Sequence, residues 1–341
     1  MELDGRKLKI LQAIIDDYIA TAVPIGSRTI SKKHDIGFSS ATIRNEMSDL
    51  EERGFLDQPH TSAGRIPSNK AYRLYVDNMI KSMPLSRKEI ETIQSYFNVR
   101  MGEVETIVQN AAKALSDLTN YTSMALAPKH ETIVFKHIQL IPIVDGKVLM
   151  IAVTNVGVLK DIVLRVPSDI TPDVLESISR MLTIAMKERS WGELKSVLYD
   201  QLKGNISEHR AFMDEILSSL EYSLRGDQQP DVLLAGTRNI FNHPEYSDIQ
   251  KARTFFELIE EKDAIVSVLT KASDIGFSVR IGEENEIKEL KDCSVITAVY
   301  RIGDESIGTL GVIGPTRMNY QRVISVLQYI GNSLSFILRD L

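Results

Sequence analysis

The sequence holds a single cysteine, Cys293, and a single tryptophan, Trp191, among 341 residues. One cysteine excludes an intramolecular disulfide and a cysteine-based zinc cluster. Long apolar runs are missing too. The longest clean one, Val148 to Val153, falls far short of the ~18 residues that a membrane helix needs. The amino terminus mixes charged and apolar residues, with Asp16 and Asp17 where a signal peptide would be greasy, so the chain reads as cytoplasmic, with no membrane partner. Its six histidines, His34, His60, His130, His137, His209 and His243, are scattered, with no H-E-x-x-H and no tight pairing with a carboxylate. No serine sits in G-x-S-x-G. Gly308, Gly311 and Gly314 are spaced G-x-x-G-x-x-G, without the dinucleotide fingerprint or the Lys-Ser/Thr of a phosphate loop, and read as a strand whose backbone is closely packed. Cys293 reads as a small core residue and Trp191 as packing. Neither an enzyme nor a metal or cofactor site is expected.

What is present is ordinary in bulk: 43% apolar and 25% charged residues, enough for two or three domains with cores of their own. The charge is uneven. Residues 1–82 hold 12 Lys+Arg against 11 Asp+Glu, a balance of +1, whereas the remainder holds 28 against 35, a balance of −7. A negative body beside a near-neutral head weakens non-specific attraction to a polyanion, so any nucleic-acid contact must come from cations placed locally in the head, although chance gives such an asymmetry about as readily.

Periodicity divides the chain. Helical patterns run from Leu3 to Thr21, with a stripe of Leu8, Leu11, Ile15 and Tyr18, then from an N-cap at Ser27 to Lys33, and from a cap at Ser39 or Ser40 to Gly54. Two short strands are expected around a turn at Thr61 to Gly64, then a helix from Asn69 to Lys81 with Leu74, Tyr75, Met79 and Ile80 as its apolar set. Residues 83–131 read as a helical connection broken near Gly102. Its stretch Val104 to Leu118 suits a helix on a sheet, or else a short coiled-coil spacer. Strand runs follow at Ile133–Val144, Val148–Thr154 and Val158–Val166, with Asp145-Gly146 as a hairpin signal. A helical block to Leu224 and further strands at Asp231–Ala235, Phe277–Ile281, Ser294–Arg301 and Ser306–Ile313 suggest an α/β domain, 132–166 with 230–341, interrupted by a helical insertion at 167–229. A last amphipathic helix is expected from Tyr320 to Leu338. The insertion carries apolar stripes, Leu175, Ile178, Leu182 and Met186, then Phe212, Ile216, Leu217 and Leu220. They exceed what a lone helical excursion needs and so suggest a dimer contact.

The head carries the most chemistry. On its third helix Ile43, Met47 and Leu50 share one face, while Ala41, Asn45, Ser48 and Glu52 point the other way, flanked by Arg44 and Thr42. Such a surface suits the major groove. Asn can pair with an adenine edge, Arg with guanine, and Ala or Thr can touch a thymine methyl. Glu51 and Glu52 lie at the carboxyl end, where a recognition helix leaves the groove. Arg28, Lys32 and Lys33 could hold phosphates, as could His60, Thr61, Ser62 and Arg65 at the hairpin. A solvent-facing helix in a small bundle would show the same spacing. The added cations favour DNA.

Three stretches, S-S-A-T-I-R-N-E-M-S-D-L-E-E-R-G-F-L (Ser39 to Leu56), P-H-T-S-A-G-R-I-P-S (Pro59 to Ser68) and A-Y-R-L-Y-V-D (Ala71 to Asp77), closely resemble the HrcA family of heat-inducible transcription repressors, and G-T-L-G-V-I-G-P-T-R-M-N-Y (Gly308 to Tyr320) resembles its C-terminal end. The resemblance implies an α+β multidomain chain: an N-terminal winged helix-turn-helix at 1–82 and a GAF-like α/β domain with an inserted helical dimerisation domain. It implies a homodimer on an inverted-repeat operator in double-stranded DNA, repressing chaperone operons of the dnaK and groE type until heat stress, with GroE chaperonin as partner. Ser39 to Arg53, including Ser40, Ala41, Thr42, Arg44, Asn45 and Ser48, would be the recognition helix, and His60 to Arg65 the wing. The rival reading is a regulator whose GAF-like pocket binds a small molecule. A third is an enzyme regulator whose head binds protein.

Overall fold

A computed structural model describes residues 3–34, 36–60, 64–80, 83–97, 104–127, 134–143, 146–154, 157–187, 210–225, 232–273, 276–302 and 305–339. The head begins with α1 (Gly5–Thr21), capped by Asp4, whose carboxylate accepts from the amides of Arg6 and Lys7 at 3.0 and 2.9 Å. Its buried face centres on Ile10, Leu11, Ile14 and Ile15, with Leu8 only half-buried, so the stripe is rotated from the expected one. Helix α2 (Ser27–Lys33) starts at Ser27 rather than being capped by it. Gly26 holds the cap position with no side-chain bond. Helix α3 (Ser40–Glu52) is capped by Ser39, whose Oγ accepts from the Thr42 amide at 3.1 Å. Strands β1 (Leu56–Asp57) and β2 (Ile66–Pro67) pair antiparallel. Ile25 adds a third rung by exchanging two 2.9 Å backbone bonds with Arg65. Helix α4 (Asn69–Asn78) follows, capped by Ser68. It buries Ala71, Tyr72 and Tyr75 rather than the expected Leu74, Met79 and Ile80.

Beyond the head, α5 (Arg87–Phe97) and α6 (Val104–Thr119) lead into β3 (Thr122–Leu126). Helix α6 packs on β3 and β7 (Val232–Ala235) and against the last helix, α11 (Tyr320–Arg339), so it is a sheet-packing helix and not a coiled-coil spacer. The central sheet has the order β7-β3-β10-β9-β8, with β8 at Phe277–Ile281, β9 at Cys293–Ile302 and β10 at Glu305–Pro315, all neighbours antiparallel. Helices α9 (Ile249–Glu260) and α10 (Lys262–Ser273) pack together, and α10 also lies against β9 and β10. The glycine spacing on β10 is a packing device. A Cβ at Gly308 would lie 2.2 Å from the Tyr300 hydroxyl, and one at Gly314 2.6 Å from the Tyr121 ring. Cys293 is buried and 3.3 Å from the Tyr246 hydroxyl.

The domain limits differ from those expected. Strand β3 joins the central sheet from within the stretch read as a helical connection. Strands β4 (Phe135–Ile143), β5 (Lys147–Thr154) and β6 (Gly157–Arg165) form a separate three-stranded sheet, so 132–166 belongs with the insertion and not with the central sheet. The reason is local pairing: β4, β5 and β6 follow one another closely in the chain, and α7 (Pro172–Met186) covers the β4 edge. Ser179 and Thr183 of α7 accept from the amides of Leu140 and Ile138 at 2.9 and 3.0 Å, which blunts that edge. Helix α8 (Arg210–Arg225) lies against β6.

The residues expected to dimerise do something else. Leu175, Ile178, Leu182, Phe212 and Ile216 are at most 4% exposed in the single chain, because they form the core beneath the three-stranded sheet with Phe135, Ile138, Val148 and Met150. A buried side chain cannot also face a partner. Trp191, His130 and His209 lie outside the described residues.

Candidate nucleic-acid interface

Helix α3 is held by its inner face. Ile43, Met47 and Leu50 are buried against α1 and α2. Between them Glu46 turns inward to meet Lys7 of α1 at 2.6 Å and Arg6 at 3.2 Å, and Lys7 also reaches Asp49 at 3.2 Å. Glu46 raises the Lys7 ammonium above its ordinary range, with Asp49 adding to it. This ion cluster fixes the roll of α3 about its axis. The sequence reading missed it, although a carboxylate on an otherwise apolar stripe, with a lysine one helix away, is a legible signal.

The outer face is thereby set. Ala41, Arg44, Asn45 and Ser48 are exposed along it. Ser39, Ser40 and Thr42, also expected at DNA, are engaged at the helix start: Ser39 caps and sits 2.9 Å from the Thr42 hydroxyl, and Ser40 lies 3.2 Å from Ser27 of α2. They shape the amino end of α3, where backbone amides also suit phosphate. Arg28 and Lys32 are exposed on α2 with no carboxylate partner among the described residues. Lys33 instead pairs with the buried Asp17 of α1, which His34 also approaches at 3.2 Å. At the hairpin, His60 is exposed, Thr61 and Ser62 lie outside the described residues, and Arg65 is bound twice to Glu51, at 2.8 and 2.7 Å. Glu51 thus meets a cation of the protein's own at the end of the helix.

No group of three or more His, Cys, Asp or Glu residues among the described residues could hold a metal ion. The space between Tyr121, His243, Tyr246, Phe255 and Gly314 on the central sheet is too narrow for a water molecule. A groove of about 630 Å³ does open, but on the outside of the body, between α5 and α11, lined by Ile93, Phe97, Tyr329 and Phe336.

A family model described as the HrcA protein C-terminal domain matches residues 105–324. The heat-inducible transcription repressor HrcA of Ruminiclostridium cellulolyticum is 44% identical over 338 residues, 98% of this chain and 97% of that one. This chain belongs to the HrcA family. The repressor HrcA of Clostridium tetani is equally similar, 44% identical with 100% of this chain and 97% of the other covered. A crystal structure of a hypothetical protein shares the fold with a TM-score of 0.73, at 26% identity and 99% coverage of both chains. Like the family, the protein is a heat-shock transcription repressor. Among the described residues no helix is long and apolar enough to cross a membrane.

Proposed function

We propose that this HrcA-family protein represses chaperone operons of the dnaK and groE type by binding an inverted-repeat operator as a cytoplasmic homodimer. The head is a winged helix-turn-helix, with α3 as recognition helix and the β1–β2 hairpin as wing. One observation carries the reading: α3 buries Ile43, Met47 and Leu50 while leaving Ala41, Arg44, Asn45 and Ser48 exposed in a row that can reach base edges. Arg28 and Lys32 supply phosphate contacts beside it. Two heads related by a two-fold axis would enter successive major grooves ~34 Å apart, or a multiple of that. Occupancy alone then blocks transcription, so no catalytic group is needed.

The central sheet is the GAF-like domain, and the unit from β4 to α8 is the inserted dimerisation domain. A row of apolar residues supports its outer sheet face as the contact with a second copy. Ile141 pairs with Leu149 and Leu149 with Val163 across all three strands, while Ile143 sits beside them. Ile141, Ile143 and Val163 are exposed, the last at 57%. Such a face is self-complementary under a two-fold axis. The ligand-sensing alternative gains no support from the space between Tyr121, Tyr246 and Phe255, which leaves no room for a water molecule. Chaperonin of the GroE type fits as the partner that keeps the repressor folded, because a multidomain chain with non-local strand pairing folds slowly and aggregates. Footprinting the purified protein on the chaperone promoters of its own genome tests the reading. Protection of paired half-sites without added ligand is expected, and protection that requires a metabolite would favour the rival.

A further inference from the structure

The head does not hang from the body by its connection alone. Arg73, half-buried on α4, reaches the edge strand β8. Its Nη2 donates to the Val279 carbonyl at 2.6 Å, its Nε donates to Glu284 Oε1 at 2.8 Å, and Nη1 is 3.2 Å from Asp77 on its own helix. Glu284 is itself fixed, since its Oε2 accepts from the Ile281 amide at 2.8 Å. Beside it Asn69, the first residue of α4, lies so close to Gly282 that a Cβ there would fall 2.1 Å from the Asn69 Nδ2, and Gly282 has φ +55. A side chain there would be strained by the positive φ and would have to displace the Asn69 amide.

A second attachment runs the other way, from body to head. Arg317, just before α11, is held by Glu245 at 2.6 and 3.2 Å and donates from Nη1 to the Ile19 carbonyl. Ile19 is in the last turn of α1, where helix carbonyls lack partners inside the helix. A guanidinium there satisfies an orphan acceptor and suits the negative end of the helix dipole. Between the two attachments Tyr72 of α4 packs on Tyr320 of α11, ring centroids 5.6 Å apart and both nearly inaccessible. Tyr320 is anchored to Ser294 and the Thr316 carbonyl, each at 2.6 Å. The Tyr72 hydroxyl, by contrast, is buried without a hydrogen-bond partner, a state that disfavours the docked arrangement.

From this geometry we infer that Arg73 and Arg317 are positioning residues that lock each head on its body at one orientation, and thereby set the half-site spacing that the repressor accepts. The inference rests on the dimeric reading above. Neither residue lies on the α3 face that would meet bases, so each acts on DNA only by fixing where that face is. A lock made of two guanidinium clamps and a tyrosine contact is small, and junctions of that kind otherwise allow domains to move. A head tethered loosely would still bind one half-site. The second head would lose the effective concentration that a fixed geometry provides.

The test uses the full-length protein and the duplex that wild type itself selects from a random-sequence pool. Derivatives carry one, two or five base pairs added between half-sites, and another carries a single half-site. Arg73→Ala, Glu284→Gln and Arg317→Ala should leave single half-site affinity within about twofold, lose about tenfold on the selected duplex, and bind the altered spacings almost equally. Tyr72→Phe removes the unpartnered hydroxyl and should sharpen spacing preference, which a general loss of folding cannot do. Locking variants that keep the wild-type spacing preference overturn the inference, while the paired-site reading survives. A wild type that selects no paired half-sites overturns both.

Discussion

Arg65, just before the second hairpin strand, donates from Nε and Nη2 to the same oxygen of Glu51 on α3, at 2.8 and 2.7 Å. The bond joins the hairpin to α3, and on the proposed reading it ties wing to recognition helix and neutralises a carboxylate near the DNA backbone. Glu51→Gln should therefore release Arg65 toward DNA, raise affinity for all sequences severalfold, and steepen the salt dependence by about one unit. Arg65→Ala should do the reverse and leave Glu51 unpaired. Because the pair is only partly buried, its loss should cost stability no more than about 1 kcal/mol. Binding isotherms at several salt concentrations, beside urea unfolding, separate the two effects. A Glu51→Gln protein that binds more weakly contradicts the assignment.

Base readout and phosphate contact should separate on neighbouring helices. Asn45→Ala, on the exposed face of α3, should cost about 1–3 kcal/mol at one base position and relax specificity there. Lys32→Ala should weaken all sequences alike and flatten the salt slope by about one unit. Lys33→Ala should behave differently from Lys32→Ala, because Lys33 is the partner of buried Asp17. Its first effect should be lost stability of the head, with Lys33→Arg restoring it. Operator variants assayed against each protein decide the matter; uniform weakening by Asn45→Ala would remove it from base readout.

The head was legible because its signals are local. A cap at Ser39, an apolar stripe at Ile43, Met47 and Leu50, and a short hairpin are each written within a few residues, and the family motif runs through all of them. The insertion was misread for the opposite reason. Amphipathic stripes on α7 and α8 state that a face is buried, not by what, and the three-stranded sheet that covers them lies before them in the chain. Strand β3 escaped because Thr122–Leu126 is buried throughout and shows no alternation. The Ile25–Arg65 rung and the attachments of Arg73 and Arg317 join residues from 40 to nearly 300 positions apart, which no local pattern records.

His243 gives the junction beneath the head a pH dependence. Its ring stacks on Tyr121 at 4.8 Å, its Nε2 lies 3.1 Å from the Asn120 carbonyl, and Glu245 and Arg317 face it from the adjoining turn and the segment before α11. Burial lowers the imidazole below its ordinary value of 6.5, and the Arg317 charge adds to that, against the opposing pull of Asn120 and Glu245. A lowered folded-state value means that folding favours the neutral ring. Its contribution is complete above pH 6.5 and is lost as pH falls through the folded value. Urea unfolding of wild type should thus show a decline below pH 6.5 that is smaller in His243→Gln. Parallel profiles for the two proteins would rule out this histidine as the source.

The proposed dimer contact can be tested by setting two classes of apolar residue against each other. Leu182 and Ile216 are inaccessible in the single chain, so Leu182→Ala or Ile216→Ala should cost about 2–5 kcal/mol of stability through the cavity each leaves. Val163 and Ile141 are exposed on the outer face of the three-stranded sheet, and a charge there meets only water in a monomer. Val163→Glu and Ile141→Lys should therefore leave unfolding of the isolated chain nearly unchanged. In a dimer joined through that face, each substitution appears twice across the two-fold axis and buries like charges together. Sedimentation should then show monomers at micromolar concentration, and affinity for a paired-site duplex should fall by about a hundredfold or more while single half-site binding persists. A Val163→Glu protein that stays dimeric would move the contact elsewhere, with the exposed side of α7 at Ile184, 78% accessible, as the next surface to alter.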